Sequence, residues 1–398
     1  MMIENPPFPP SIRVQRMQAS STLAVVQAAA RLRAQGIEVI DLGAGEPDFP
    51  TPEHIKQAAH QAINENFTKY TPAAGIPELK QAIIERLFED YGVQYTPPQV
   101  IATAGGKQAI FNAVVALINP GDEVLIPSPY WVTFPEIVTF AEGKSVFIDT
   151  EPTGFQFTPE LFEAHISART KLLILNSPCN PTGRAILPDT YRRIVEMAAE
   201  RQVYVIADEC YREFVYPPAQ PFCAGQLPPE LKRWVLVSGT LSKTYAMTGW
   251  RLGYALGDQR WIDDMVKVQS HSTSNPTSIS QKAGVAALRG PRESIRMMLE
   301  EYQRRRDFLI PALNAIPGIE CNWPEGAFYA FPNIEKLLNG SIKTSEEAQL
   351  RLLEDYHVAL TPGSAFGLEG YLRISYANSM DALRRGVEQI RAFVDGLK

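Results

Sequence analysis

Lys243 is the residue on which covalent chemistry could turn. It stands in Val235–Tyr254, VLVSGTLSKTYAMTGWRLGY: an apolar strand pattern, a hydroxyl-rich loop, then a lysine among Leu241, Tyr245, Ala246 and Met247. A protonated, hydrated lysine is a poor nucleophile; desolvation and nearby positive charge lower its pKa and open Schiff-base chemistry. A lysine beside a serine is, by itself, usually a solvated surface charge, so support must come from elsewhere. Asp208 closes the apolar run in Val203–Tyr211, VYVIADECY, at the carboxyl end where open α/β sheets bind ligands. A carboxylate there can hold a cationic ring nitrogen, with the Tyr211 phenol nearby, although an isolated Asp equally serves as a helix cap. Upstream, Asn176–Gly183 reads NSPCNPTG, by itself only an Asn-, Pro- and Gly-rich turn.

Two further segments invite other readings. Gly43-Ala44-Gly45 begins like a dinucleotide fingerprint, but Asp48 takes the third glycine position. Gly106-Lys107 resembles the end of a P-loop, yet Gln108 replaces the Ser or Thr that would bind magnesium. Arg373 lies in a pattern that puts Leu372, Ile374 and Tyr376 on one face and Arg373 with Ser375 on the other. Pattern alone would turn Arg373 to solvent.

The elements that must position these residues follow from periodicity. From Val100 to Gly257, nearly continuous apolar runs (Val100–Ile101, Val124–Ile126, Val146–Ile148, Leu172–Leu175, Val203–Ile206, Val235–Val237) alternate with helical patterns. Such runs suit strands covered on both faces, and the alternation predicts an α/β domain with a mainly parallel sheet flanked by helices. Ile110, Ala113, Val114 and Leu117 share one helical face; Ile194, Met197 and Ala198 share another, in a helix from Pro188 to about Gln202. Thr51 is expected to cap a helix with Pro52 in its first turn and Ile55, Ala58, Ala59, Ala62 and Ile63 inward. Beyond Pro291 a charged helix (Glu293–Asn314), a strand (Gly326–Pro332), a helix (Ser345–His357), a strand (Tyr371–Ala377) and a terminal helix predict a smaller α+β domain. The expected division is 1–45, an arm and part of the small domain; 46–290, the large domain; and 291–398, the small domain.

Composition narrows the function. The 398 residues carry a formal net charge of -6, with no basic footprint for nucleic acid. Cys179, Cys210, Cys223 and Cys321 show neither CxxC spacing nor a disulfide framework, and the five histidines are scattered, so no structural metal is expected. Neither a signal peptide nor a bilayer-spanning run is apparent, which predicts a cytoplasmic protein.

Taken together and in order, NSPCNPTG, DECY and SKTYAMTGWRLGY resemble the class I aminotransferases of fold-type I. LGAGEPDF from Leu42, YTPAAG from Tyr70, SPYW from Ser128 and LRISYA from Leu372 extend the resemblance from about residue 20 to the C-terminus. The resemblance implies pyridoxal 5'-phosphate, held by Lys243 as a Schiff base, with Lys243 later moving the proton between the substrate Cα and the cofactor. It implies that Asp208 pairs with the pyridinium nitrogen and that Tyr211 and Asn180 hydrogen-bond the ring hydroxyl. Trp131 would stack on the ring, although core packing is the commoner fate of Trp. The phosphate would meet backbone N–H groups of Gly105, Gly106 and Lys107 at the start of a Lys107–Ile118 helix. Thr240, where the family often has Ser, Ser242 and Arg251 would complete the cup, with Tyr70 entering from a second subunit. Arg373 would clamp the substrate α-carboxylate, a duty suited to a planar guanidinium, with help from Asn180 and the Gly45 backbone.

A homodimer with shared active sites, acting on an amino acid and a 2-oxo acid by a ping-pong mechanism, follows from the same resemblance. In well-known aspartate aminotransferases a second arginine, downstream of the lysine, holds the side-chain carboxylate; Ser270–Ala287 contains none. The chain is instead similar to bacterial aspartate and prephenate aminotransferases in which a lysine of the GGKQ element and N-terminal hydroxyls take that duty. Lys107, Ser20 and Thr22 occupy the matching positions, although Lys107 could equally face water or support the phosphate. The expected donor is aspartate or glutamate and the acceptor 2-oxoglutarate or oxaloacetate. Prephenate transamination, C–S lysis on the same fold, and a non-enzymatic ligand-sensing domain are the alternatives.

Overall fold

In the computed structural model the protein is described for residues 10–18 and 21–397, without the side chains of 21–24 and 26. After a two-residue strand β1 (Ile40–Asp41) come the strands of the main sheet: β2 (Val100–Thr103), β3 (Glu123–Ser128), β4 (Lys144–Asp149), β5 (Thr170–Asn176), β6 (Tyr204–Asp208), β7 (Val235–Thr240) and β8 (Gly253–Leu256). These seven lie in the order β2-β8-β7-β6-β5-β3-β4. The strands from β3 to β7 pair in parallel, whereas β8 runs antiparallel to both β2 and β7. The short β8 hides inside the lysine motif and is not foreseen as a strand from its pattern.

Successive strand residues enter two different cores. In β5, Leu173 and Leu175 join Ile55, Leu79 and Ala283 from helices on one face, while Leu172 and Ile174 join Ile110, Ala113 and Met265 on the other. The two-residue period of a strand thus buries both faces, which explains the unbroken apolar runs. Strand β4 departs from that expectation. It is the sheet edge, and Phe147 remains 46% exposed with Tyr130 stacked on it.

The chain beyond Pro291 builds β9 (Tyr329–Ala330), β10 (Val358–Ala359), β11 (Thr361–Pro362) and β12 (Leu372–Ser375), with helices Glu293–Asn314, Ser345–Tyr356 and Met380–Asp395. Strand β1 pairs in parallel with β10, and β11-β12-β9 form an antiparallel sheet. Ile40 and Leu42 therefore share a core with Leu309, Leu352 and Ile374. The structure departs from local pattern at several points. The strands here are shorter than their patterns. Arg373 is buried rather than solvent-facing, because Tyr329 and Phe366 present their rings to its guanidinium. Thr51 caps nothing: its hydroxyl donates to the Ala246 carbonyl (2.6 Å) and accepts from the Trp250 indole (3.0 Å), and the helix starts at Glu53. Ile63, at the end of that helix, is 49% exposed despite its place in the apolar pattern.

Candidate active site

Three parallel strands end side by side, with Asn176 opposite Asp208 and Asp208 opposite Ser238. Beyond them the chain makes the 176–183 loop, the 208–213 turn and the short helix Leu241–Thr244 that carries Lys243. The 43–48 segment and β12 close over these ends. The half-open cavity between them measures about 330 Å³. Gly45, Gly106, Lys107, Trp131, Asn180, Asp208, Tyr211, Thr240, Ser242, Lys243, Arg251 and Arg373 all line it. Tyr70 does not line it and is 90% exposed. Ser20 lies outside the described residues, and of Thr22 only the backbone, in the Ser21–Ala34 helix, is described.

Burial sets the protonation of the central groups. Lys243 donates to the Gly45 carbonyl, and burial, reinforced by the charges of Arg373 and Arg251, lowers its pKa to about 8. That is within reach of the neutral amine at working pH. Asp208 accepts from the Cys210 N–H (3.3 Å); among the described residues no cationic side chain forms an ion pair with it, and burial pushes it up to about 7. A buried carboxylate held in this way is ready for a cation.

Arg373 donates only to neutral oxygens: Asn180 Oδ1 (3.0 Å), the Gly43 carbonyl (2.7 Å) and Thr361 Oγ1 (3.3 Å). Its buried Nε has no partner, and burial lowers its pKa. Asn180 is steadied by its N–H to Asn176 Oδ1 (2.8 Å), and Tyr211 pairs through its hydroxyl with Tyr329 (2.7 Å).

The opposite end of the cavity is built for an anion. The helix Gly106–Leu117 points its first turn inward, one residue earlier at each end than its pattern suggests. The expectation for Gly105 is corrected, since its N–H already donates to the Thr103 carbonyl (2.8 Å). Gly105 (φ 89°) serves instead by lacking a side chain: a Cβ there would fall 2.5 Å from the Arg251 guanidinium. Thr240 accepts from the Ser242 N–H (3.1 Å) and contacts its hydroxyl (2.9 Å). Lys107 reaches over Trp131, with Nζ 5.0 Å from the ring centre, and burial together with Arg251 lowers its pKa. Lys107 and Arg251 also border a wider, open cavity of about 860 Å³ toward Gln18 and Glu136.

These features fit pyridoxal 5'-phosphate: a lysine near neutrality, an unpaired buried carboxylate, and a cup of helix N–H groups, hydroxyls and Arg251. Sequence reading misses Tyr329, Thr361 and the anchoring role of Asn176. Tyr329 and Thr361 come from segments of ordinary pattern and meet Arg373 only in three dimensions. Among the described residues no group of His, Cys, Asp and Glu could hold a metal, no helix is long and apolar enough to cross a membrane, and all four cysteines are free.

Comparison with known proteins agrees over nearly the whole chain. The family model "Aminotransferase class I and II" matches residues 37–390. The aspartate aminotransferase of Geobacillus stearothermophilus is 43% identical over 385 residues, 96% of this chain and 98% of that protein. The aspartate/prephenate aminotransferase of Cereibacter sphaeroides is 45% identical over 390 residues, again 96% and 98%. The solved structure of Thermus thermophilus aspartate aminotransferase with maleate superposes with a TM-score of 0.92 at 40% identity, covering 97% of this chain and 100% of that one.

Proposed function

Because the chain belongs to the class I and II aminotransferases, we propose that its cavity transfers an amino group from L-aspartate or L-glutamate to 2-oxoglutarate or oxaloacetate. It is a pyridoxal-phosphate-dependent enzyme, and the convergence of Lys243, Asp208 and Arg373 on one cavity carries the reading. Lys243 is the residue that binds the cofactor covalently, Asp208 holds the proton on its ring nitrogen, and Tyr211 with Asn180 engages its ring hydroxyl. Trp131 covers the ring. The N–H groups of Gly106 and Lys107, with Thr240, Ser242 and Arg251, hold the phosphate.

The cofactor supplies an electron sink for the charge left when the substrate Cα–H bond breaks. Arg373 takes the substrate α-carboxylate, so that the Cα hydrogen is presented to Nζ of Lys243. With its pKa lowered by burial, that amine can accept the proton and return it at the neighbouring carbon. The first amino acid leaves as its oxo acid, a water molecule supplying the keto oxygen while the nitrogen stays behind, before the second oxo acid enters, a ping-pong order.

Lys107 is the candidate for the distal carboxylate of an acidic substrate, in company with Ser20 and Thr22. The printed names of the relatives, and maleate, a dicarboxylate, in one of them, support that choice. Prephenate is the second reading, favoured by the Cereibacter sphaeroides relative named for both activities. We further read the chain as cytoplasmic, with a large domain over 46–290 and a small one built from 291–398 and part of 1–45. We also read it as a homodimer in which the exposed Tyr70 reaches the partner's phosphate site. Titrating the cofactor-loaded protein with L-aspartate tests the proposal: the visible band should be lost as one equivalent of oxaloacetate appears. A band indifferent to aspartate and glutamate would defeat the substrate assignment.

A further inference from the structure

Behind the cavity, on the side away from the expected cofactor, lies a chain of charges that transamination does not itself require. The 208–213 turn sends Asp208, Cys210 and Tyr211 into the cavity, while Glu209 and Arg212 point the other way and are buried. Glu209 accepts from Arg212 and from the Ala224 N–H (2.6 Å). Arg212 also donates to Tyr254 (3.2 Å), contacts Cys223 Sγ (3.7 Å), and lies over the Tyr91 ring at 4.9 Å. Tyr254 in turn seats against β7, where a Cβ on Gly239 would fall 2.3 Å from its ring. The ionic chain continues from Arg212 to Glu213 (3.7 Å), then to Arg292, Asp90 and Arg86, and ends at the exposed Glu89 (2.7 Å). Signs alternate along it, so the part from Glu209 to Arg86 carries as many carboxylates as guanidiniums.

We infer that Arg212 is a positioning residue for the cofactor: by neutralising Glu209 and tying the turn to β8, it holds Asp208 and Tyr211 in place and keeps Asp208 the one unbalanced carboxylate facing the cavity. The physical argument is one of charge. A buried carboxylate one residue from Asp208 would, if unpaired, oppose ionisation of Asp208 and pull the turn toward water. Paired with Arg212, Glu209 is left with only a minor opposition to Asp208, behind that of burial. The groups facing Asp208 are Glu209 and Cys210 from its own turn, Cys179 from the 176–183 loop and Tyr191 from the Pro188–Glu200 helix. Across the cavity stands Lys243, the amine that the cofactor takes up in the proposed function; behind the turn, Arg212 is the cation paired with Glu209.

The inference rests on reading Asp208 and Tyr211 as cofactor partners, and the experiment separates the two. Cofactor-free wild type, R212M, R212K, R212M/E209Q and D208N are titrated with pyridoxal phosphate, following quenching of intrinsic fluorescence and the pH midpoint of the bound absorption band. R212M should weaken binding by roughly tenfold or more, because one partner of a buried pair is left alone, and should shift the midpoint. R212K should be intermediate, and R212M/E209Q, which removes both charges, should recover most of the loss. Wild-type affinity and midpoint in R212M would overturn the inference. So would a double variant no better than R212M, including the case in which neither folds. Wild-type behaviour in D208N would instead overturn the assignment of Asp208, whatever Arg212 does.

Discussion

Arg373 and Arg305 are both buried arginines of the C-terminal part of the chain, with 2% and 4% of their surface exposed, yet their surroundings differ in kind. Arg305, on the Glu293–Asn314 helix, meets two carboxylates. Its fork grips Asp48 through two bonds (2.8 and 2.9 Å), and its Nε donates to Glu301 (2.8 Å). Arg373 meets none; its partners are an amide, a carbonyl and a hydroxyl, and its Nε is left over. A satisfied buried ion pair holds structure, whereas a buried guanidinium without an anion is stabilised by whatever carboxylate enters beside it. A similar contrast separates Arg212, which also keeps a spare Nε but is ion-paired with Glu209, from Asp208, which has no ion-pair partner among the described residues. Open valence at the ends of β6 and β12 is what distinguishes the site from the equally charged interior around it.

The largest effect expected on the open side is that of Lys243→Ala. Removing the group that moves the proton should lower kcat by roughly 10²- to 10⁴-fold or more, since that is the usual contribution of positioned proton transfer. Stopped-flow turnover with aspartate measures it. Next, Arg373→Ala and Arg305→Met break the comparison in two directions. Arg373→Ala should lower kcat/KM for aspartate by about 10²-fold while barely moving the Tm of the cofactor-free protein. Arg305→Met should leave Asp48 unpaired and destabilise the protein by ~3 kcal/mol, read as a lower Tm and denaturant midpoint. Equal Tm losses in both would erase the distinction.

A smaller effect concerns pH. Burial raises Asp208 in the cofactor-free fold to about 7, from an unfolded value near ~4. The folded state therefore binds the proton more tightly, and this contribution to stability is complete below about pH 4 and lost as pH rises through 7. Asp208→Asn should flatten the fall in stability between those limits, measured by urea unfolding at stepped pH. The smallest effect is expected from Lys107→Ala, which should lower the ratio of aspartate to alanine turnover with kcat for alanine nearly unchanged. An unchanged ratio would remove Lys107 from substrate selection.

Much of this was legible in the chain because the relevant signals are local. The apolar runs at β5, β6 and β7 are long, uninterrupted and bounded by turns, and burial on both faces is the one arrangement that suits them. Lys243, Asp208, Asn180 and Arg373 sit in segments whose resemblance to the aminotransferases was readable without a structure. The elements that sequence misjudged are those where a neighbour outvotes the local pattern. Thr51 is drawn from its expected cap by Ala246 and Trp250. Gly105 spends its N–H on Thr103, and β8 owes its strand form to the two antiparallel partners that flank it.

By itself the sequence determined the fold class and the family and pointed to the candidate reactive groups, because periodicity and motif order are properties of neighbouring residues. Only the tertiary structure decided their state. Burial is a sum over distant segments: Arg373, which strand pattern alone would turn to solvent, is buried when Tyr329, Phe366 and Thr361 gather around it. Lys243 moves toward neutrality for the same reason. The pairing of Arg212 with Glu209 behind Asp208, and the lack of an ion-pair partner for Asp208 itself among the described residues, belong likewise to the folded chain.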